Sequence, residues 1–175
     1  ILAASRELIK ENGWTAVSIR AVASRCSVSA GTIYNYYESK ADLLGDTIES
    51  IWREIFFNPE DEQVFKDVAA CISWIYKRLE YGNEQFPGFF SLHSLGFMKD
   101  EKMDGKKKML QTWGHILNGL CDILKNDPKI RPDVFDEQFT EKQFADILFS
   151  LILVSMIRQD YNPSSILMLI NKTLY

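Results

Sequence analysis

The sequence predicts an all-α protein: an N-terminal three-helix head of helix-turn-helix, homeodomain-like form joined to a longer helical body. Three observations carry that expectation. Apolar residues recur three and four positions apart along most of the chain, the spacing that lines one face of a helix. The runs are punctuated by residues that cap or stop helices, among them Gly13, Ser18, Ser29, Ser39 and Thr140. Finally, 175 residues with 46% apolar and 25% charged content suffice for a full buried core.

In ILAASRELIKENG, Ile1, Ala4 and Leu8 share a face, Leu2 and Ile9 flank it, and Gly13 is the left-handed stop. Ser18 caps a second helix whose Ile19, Val22, Ala23 and Cys26 form an inward stripe about 100° wide, leaving Arg20 and Ser24 outward. After a turn at Ser27-Val28, Ser29 caps a third helix of barely two turns, expected to end at Glu38, with Ile33 and Tyr37 facing the core. Gly31 and Asn35 occupy its opposite arc, flanked by Thr32 and Tyr34. Ser39-Lys40-Ala41-Asp42 reads as a capping box opening a fourth helix, with Leu44, Ile48, Ile51 and Ile55 as its stripe.

Two short helices joined by a tight turn, the second presenting small and hydrogen-bonding groups, form an arrangement suited to the major groove of DNA. Ala30 and Gly31 remove bulk where the helix meets the duplex, so that backbone N–H groups come within reach of phosphate. Thr32 and Asn35 can address base edges or phosphates, and Tyr34 a thymine methyl or a phosphate. Lys40 sits in the first turn of its helix, where a cation is unfavourable unless an anion such as phosphate meets it. Charge agrees weakly: residues 1–45 carry net +1 and the remainder net −5, within a total of −4.

Over residues 1 to about 47, the segments ENGWT, SIRAVA, VSAGTIYNYY and SKADLL resemble, in order and spacing, the DNA-binding domain of the TetR family of one-component transcriptional regulators. Carried over by position, the resemblance implies base or phosphate contacts for Arg20 and Thr32 and phosphate contacts for Ser18, Tyr36 and Lys40. Ala30, Gly31 and Asn35 would line the groove, with Ser29 capping their helix. Three positions depart from the family: Ser27 replaces the usual turn glycine, Ala21 the usual acidic residue, and Tyr37 the common phenylalanine. A left-handed Ser27 would cost about 1 kcal/mol. Capping alone remains open as the role of Ser18, and plain solvation as that of Arg20.

The division expected is a head over residues 1–45 and a ligand-binding and dimerisation body over residues 46–175. Asn58-Pro59 followed by three acids reads as the start of a helix running to about Tyr81. A Phe-rich segment follows, then a helix carrying Met109, Leu117 and Leu124 that stops at Asn126. Gly114 and Gly119 inside it imply close packing or a cavity. Twelve of the 22 aromatic residues lie between positions 52 and 113, a stretch able to enclose a small apolar or aromatic effector. The pocket candidates are Trp52, Phe56, Trp74, Phe86, Phe89 and Phe90, with His93, Phe97, Trp113 and Leu117; core packing is the alternative for each. Thr140 and Gln143 box the start of a helix to about Arg158, and Asn162-Pro163 opens another. Both are too apolar for one core, which implies a homodimer through Phe144, Leu148, Leu151, Ile152 and Ser155 on the first and Ile166, Leu167 and Ile170 on the second.

No cofactor is expected, and no metal: His93 and His115 stand 22 apart without carboxylate or thiolate at ligand spacing, and Cys26, Cys71 and Cys121 follow no zinc or disulfide pattern. The longest apolar run, residues 147–157, has 11 residues against the ~20 of a membrane span. Cytoplasmic, nucleoid-associated residence is expected, and Ile1 already reads as helix interior, so residues preceding it are expected too. No nucleophile elbow or phosphate loop suggests an enzyme. The expected function is a dimeric regulator, a repressor of a palindromic operator released by its ligand. The alternative is a helical adaptor that presents the same head to a protein.

Overall fold

A computed structural model of the chain describes residues 1–56, 65–90 and 103–175, the last stretch without the side chains of residues 103–113. The described residues are helical, without strands, in the order α1 (Leu2–Asn12), a 3-10 turn (Trp14–Ala16), α2 (Ile19–Arg25), α3 (Ala30–Tyr34), α4 (Lys40–Phe56), α5 (Val68–Gln85), α6 (Met103–Asn126), α7 (Glu141–Arg158) and α8 (Ser164–Thr173). The all-α class with an N-terminal helix-turn-helix and a C-terminal helical body is therefore as expected. Two compact units are present, one of residues 1–62 and 81–89, the other of residues 63–80 and 90–175.

In the first unit α1 packs on α2 and α4, and α2 on α3. Gly13 ends α1 at φ +74, its N–H bonded to the Ile9 carbonyl. Ile19, Val22 and Ala23 are buried as their spacing requires, and Leu8 and Ile9 close the core from α1. On α4 the buried stripe is Leu43, Thr47, Ile51 and Ile55; Leu44 and Ile48 are only half-buried, which shifts the first half of the expected stripe by one position. Thr47 hid that register because a polar residue breaks the apolar pattern, yet it is accommodated: its hydroxyl donates to the Leu43 carbonyl at 2.6 Å. α1 is clamped to α4 by Arg6 and Lys10, both paired with Glu54 at 2.9 Å.

In the second unit, the expected helix start at Asn58-Pro59 lies outside the described residues, and residues 65–67 are not helical. Asp67 and Asp127 organise the start of α5 instead. Asp67 accepts from the Ala70 N–H at 2.7 Å, and Asp127 from the Val68 N–H at 2.9 Å and the Tyr175 hydroxyl at 2.6 Å. α5 runs through Gly82 to Gln85, beyond its expected end near Tyr81. α6 packs on α7. An added Cβ at Gly114 or Gly119 would meet no atom of the described residues within 4 Å, so of the two expectations there, close packing or a cavity, packing against the described residues is not found. Thr140 and Gln143 form a reciprocal capping box, and the Asn162 side chain accepts from both the N–H and the hydroxyl of Ser164 at the start of α8.

A pH dependence follows from Asp67. The Lys129 ammonium donates to its carboxylate at 2.6 Å and, with the Ala70 N–H, holds that carboxyl below the ordinary range. An acid depressed in the folded state stabilises the fold above its unfolded pKa, and the contribution is lost as pH falls through the folded value. Asn keeps the cap but not the charge. Asp67→Asn should therefore melt below the parent chain at neutral pH and converge with it as pH falls below about 4. Melting curves separated by the same interval down to strong acid would contradict this.

Candidate nucleic-acid interface

The surface begins at Ser18, whose Oγ accepts from the Ala21 N–H at 3.1 Å and so fixes the start of α2. The hydroxyl proton of Ser18 is left to donate elsewhere, so capping and phosphate contact are compatible. Arg20, the second residue of α2, is exposed on the side away from the Ile19–Val22–Ala23 stripe. The connection to α3 turns through Ser27 at φ 56, the left-handed conformation implied for this position, which costs about 1 kcal/mol in a residue with a Cβ.

α3 is shorter than the sequence implied, five residues ending at Tyr34 with Asn35 as cap rather than reaching Glu38. The chain tightens there: the Asn35 and Tyr36 amides reach back three residues, to the Thr32 and Ile33 carbonyls. Ser29 holds the other end, accepting from the Thr32 N–H at 3.1 Å with its Oγ 3.0 Å from the Thr32 hydroxyl. Thr32 thus presents a hydroxyl already engaged on one side. Ile33 is fully buried, whereas Gly31, Tyr34, Asn35 and Tyr36 are exposed, the two tyrosines by 56% and 71%. Rings left in water to that extent are not core. Tyr37 does turn inward, and burial, followed by the Asp46 charge, pushes its hydroxyl pKa up. At the start of α4, Ser39 accepts from the Asp42 N–H at 3.2 Å and donates to its carboxylate at 2.8 Å, leaving Lys40 exposed beside them.

One exposed residue escaped the sequence reading. Val28 is 40% exposed and borders, with Cys26, Thr32, Tyr36 and the first turn of α1, a shallow depression beside α3. Its turn position gave no periodicity from which exposure could be read.

Residues 1–47 match the family model described as bacterial regulatory proteins, tetR family. Residues 1–47 are therefore of the TetR type. The HTH-type transcriptional regulator UidR of Escherichia coli (strain K12) is 41% identical over 44 residues, which are 25% of this chain and 22% of UidR. An uncharacterized HTH-type transcriptional regulator in the lacX 3′ region of Lactococcus lactis is 28% identical over 93 residues, 47% of each chain. The chain thus spans less than half the length of these curated relatives. Among solved structures, a transcriptional regulator from Rhodococcus sp. Rha1 shares the fold with TM-score 0.65 and 16% identity, covering 93% of this chain and 83% of that one. FadR from Bacillus subtilis in complex with stearoyl-CoA gives TM-score 0.61 and 21% identity over 98% and 92%.

The pocket candidates are distributed between the units. Trp52, Phe56, Phe86 and Phe89 belong to the first, where Trp52 stacks on Phe56 (5.4 Å, 24°) and meets Phe89 edge-on (5.5 Å, 65°). Trp74, Phe90 and Leu117 belong to the second. Phe86, Phe89 and Phe90 are fully buried; Trp52, Phe56, Trp74 and Leu117 are half-buried. His93 and Phe97 lie outside the described residues, as does the side chain of Trp113 on α6. In the second unit Tyr161 packs against Phe90 (6.1 Å), and burial pushes its hydroxyl up to about 12.

Five of the residues expected on the dimer face, Phe144, Leu148, Ile152, Ile166 and Ile170, are buried in the chain itself, and Ser155 is 2.7 Å from the Tyr76 hydroxyl. Leu151 is exposed and Leu167 half-buried. The apolar residues that α7 and α8 leave in water are Ile147, Leu151, Val154 and Ile157, and Met168 and Leu169. From Ile147 to Ile157 all residues but Ser150 and Ser155 are apolar, so this stretch of α7 offers little contrast from which to set its phase. No helix of the described residues is long and apolar enough to cross a membrane.

Proposed function

We propose that this protein is a cytoplasmic, nucleoid-associated one-component transcriptional repressor. Its head, residues 1–45, reads one half of a palindromic operator, and its body, residues 46–175, dimerises and holds a small apolar or aromatic effector. The observation that carries the reading is the outward face of α3, where an exposed Gly31 stands among exposed Tyr34, Asn35 and Tyr36. A globular surface gains nothing from bare glycine and wet tyrosine rings, whereas a duplex needs backbone close at hand and flat donors around it. The match of residues 1–47 to the TetR family supports it. FadR from Bacillus subtilis, of the same fold, is solved with stearoyl-CoA, in keeping with an apolar effector here.

Two recognition surfaces related by a dyad would enter successive major grooves about 34–36 Å apart. Effector binding would favour a state in which α4 shifts and the two heads no longer match that spacing; DNA and effector then oppose each other reciprocally, by about 1–3 kcal/mol.

Selection of duplexes from a random pool tests the reading. An enriched inverted repeat, bound with steep salt dependence, is the expected outcome. Arg20→Ala should relax preference among sequences, while Lys40→Ala with Tyr36→Phe should weaken binding to all of them alike. A pool that enriches nothing would transfer the head to a protein partner.

A further inference from the structure

Trp14 forms the first residue of the 3-10 turn that leads from α1 to Ser18 and α2. Its ring lies on Phe89, centroids 5.6 Å apart and 16° from parallel, although the two are far apart in sequence. Phe89 is held in turn by the edge of Trp52 and by Phe86, and Lys10 of α1 stands 4.9 Å over the Phe86 ring while pairing with Glu54. The turn of residues 86–90 therefore meets the head at its entry to α2.

Two further observations give this contact a purpose beyond packing. The Trp14 indole Nε1 is buried and donates to nothing among the described residues, although buried N–H groups are nearly always paired. The ring thus keeps its place on Phe89 at the expense of a hydrogen bond, so the stack rather than the indole donor is what the position serves. The other observation is where the chain goes next. Gly88 takes φ +77, and the two residues after it turn to different partners: Phe89 to Trp14 and Trp52, Phe90 to Tyr161. One peptide bond links a ring that supports the head to a ring packed in the body.

We propose that Trp14 is a positioning residue of the DNA-binding head, resting on Phe89 so that a change in the 86–90 turn resets the 3-10 turn and, through it, α2 and α3. The role of Trp14 rests on the DNA-binding reading and adds to it the residues through which the body addresses the head. By reciprocity, DNA on α3 must perturb the 86–90 turn.

Hydrogen exchange of the full chain, free and bound to a duplex selected from the random pool, tests this. In the parent, amides of residues 86–90 should change exchange rate on DNA binding by about threefold or more. Trp14→Phe, which keeps a ring and loses only the unpaired donor, should keep that response and melt no lower than the parent. Trp14→Ala should still bind the duplex but lose the response at residues 86–90; if it does not fold, Phe89→Leu, which keeps bulk and removes the ring, takes its place with the same expectation. Identical exchange at residues 86–90 in free and bound parent, or a response that survives in Trp14→Ala or Phe89→Leu, overturns the proposal. A parent that enriches no duplex at all removes the DNA-binding reading itself, and the role of Trp14 with it.

Discussion

Gly31→Leu should fold at least as well as the parent chain and bind a duplex selected from the random pool about a hundredfold more weakly, a loss near 2.7 kcal/mol. The two halves of this expectation have separate causes. Gly31 is exposed, it carries no left-handed backbone, and a Cβ built on it would meet only Ser29 Oγ at 3.6 Å, an ordinary contact. Nothing in the fold therefore requires glycine. Exchanging it for leucine in a helix should even favour the folded chain by up to about 1 kcal/mol. A residue the fold would rather replace is retained for something outside the fold, and a leucine side chain standing off α3 would hold the helix away from the duplex. Melting temperature and duplex affinity measured on the same preparation check both halves. Undiminished affinity would show that α3 does not approach DNA by this face.

Glycine in that place was legible in the sequence because caps and spacing fixed the local frame. Ser18 and Ser29 bond the amides three residues on, and Ile19, Val22, Ala23 and Ile33 are buried as their periodicity requires. Where residue chemistry contrasts along a helix, its inward face can be read. The register of α4 went astray at Thr47, which is buried but polar and hides its hydroxyl on its own backbone. On α7 the run from Ile147 to Ile157 is apolar at all but Ser150 and Ser155 and gives little contrast, and the start of α5 is set by Asp67 and Asp127, 60 positions apart, acting on it together. The Trp14–Phe89 stack is likewise a long-range contact, and no local pattern announces one. Local signals thus set the frame of the proposed recognition surface, while contacts distant in sequence determined what supports it.

The same distinction sets the second large expectation, on α7 and α8. Ile147, Leu151, Val154 and Ile157 follow one another at spacings of four, three and three, a single stripe, and all stand 37–59% exposed in the isolated chain, as do Met168 and Leu169. Opposite them on α7, Phe144, Leu148 and Ile152 fill the core. Substitution on the two faces should fail in different ways. Leu148→Ala opens a cavity and should cost about 2–5 kcal/mol in folding. Leu151→Lys with Ile157→Lys places charge where the isolated chain already meets water, so each chain should keep its helical content. In a two-fold dimer, however, each substitution occurs twice and puts like charges into one apolar interface. The double variant should sediment as a monomer and lose about a hundredfold or more in affinity for an inverted repeat, since one head alone must bind, while its weak affinity for an isolated half-site stays unchanged. If it remains a dimer, the exposed stripe is not the interface. If the parent is itself a monomer that still prefers an inverted repeat, the two heads are brought together by DNA, and the stripe needs another partner.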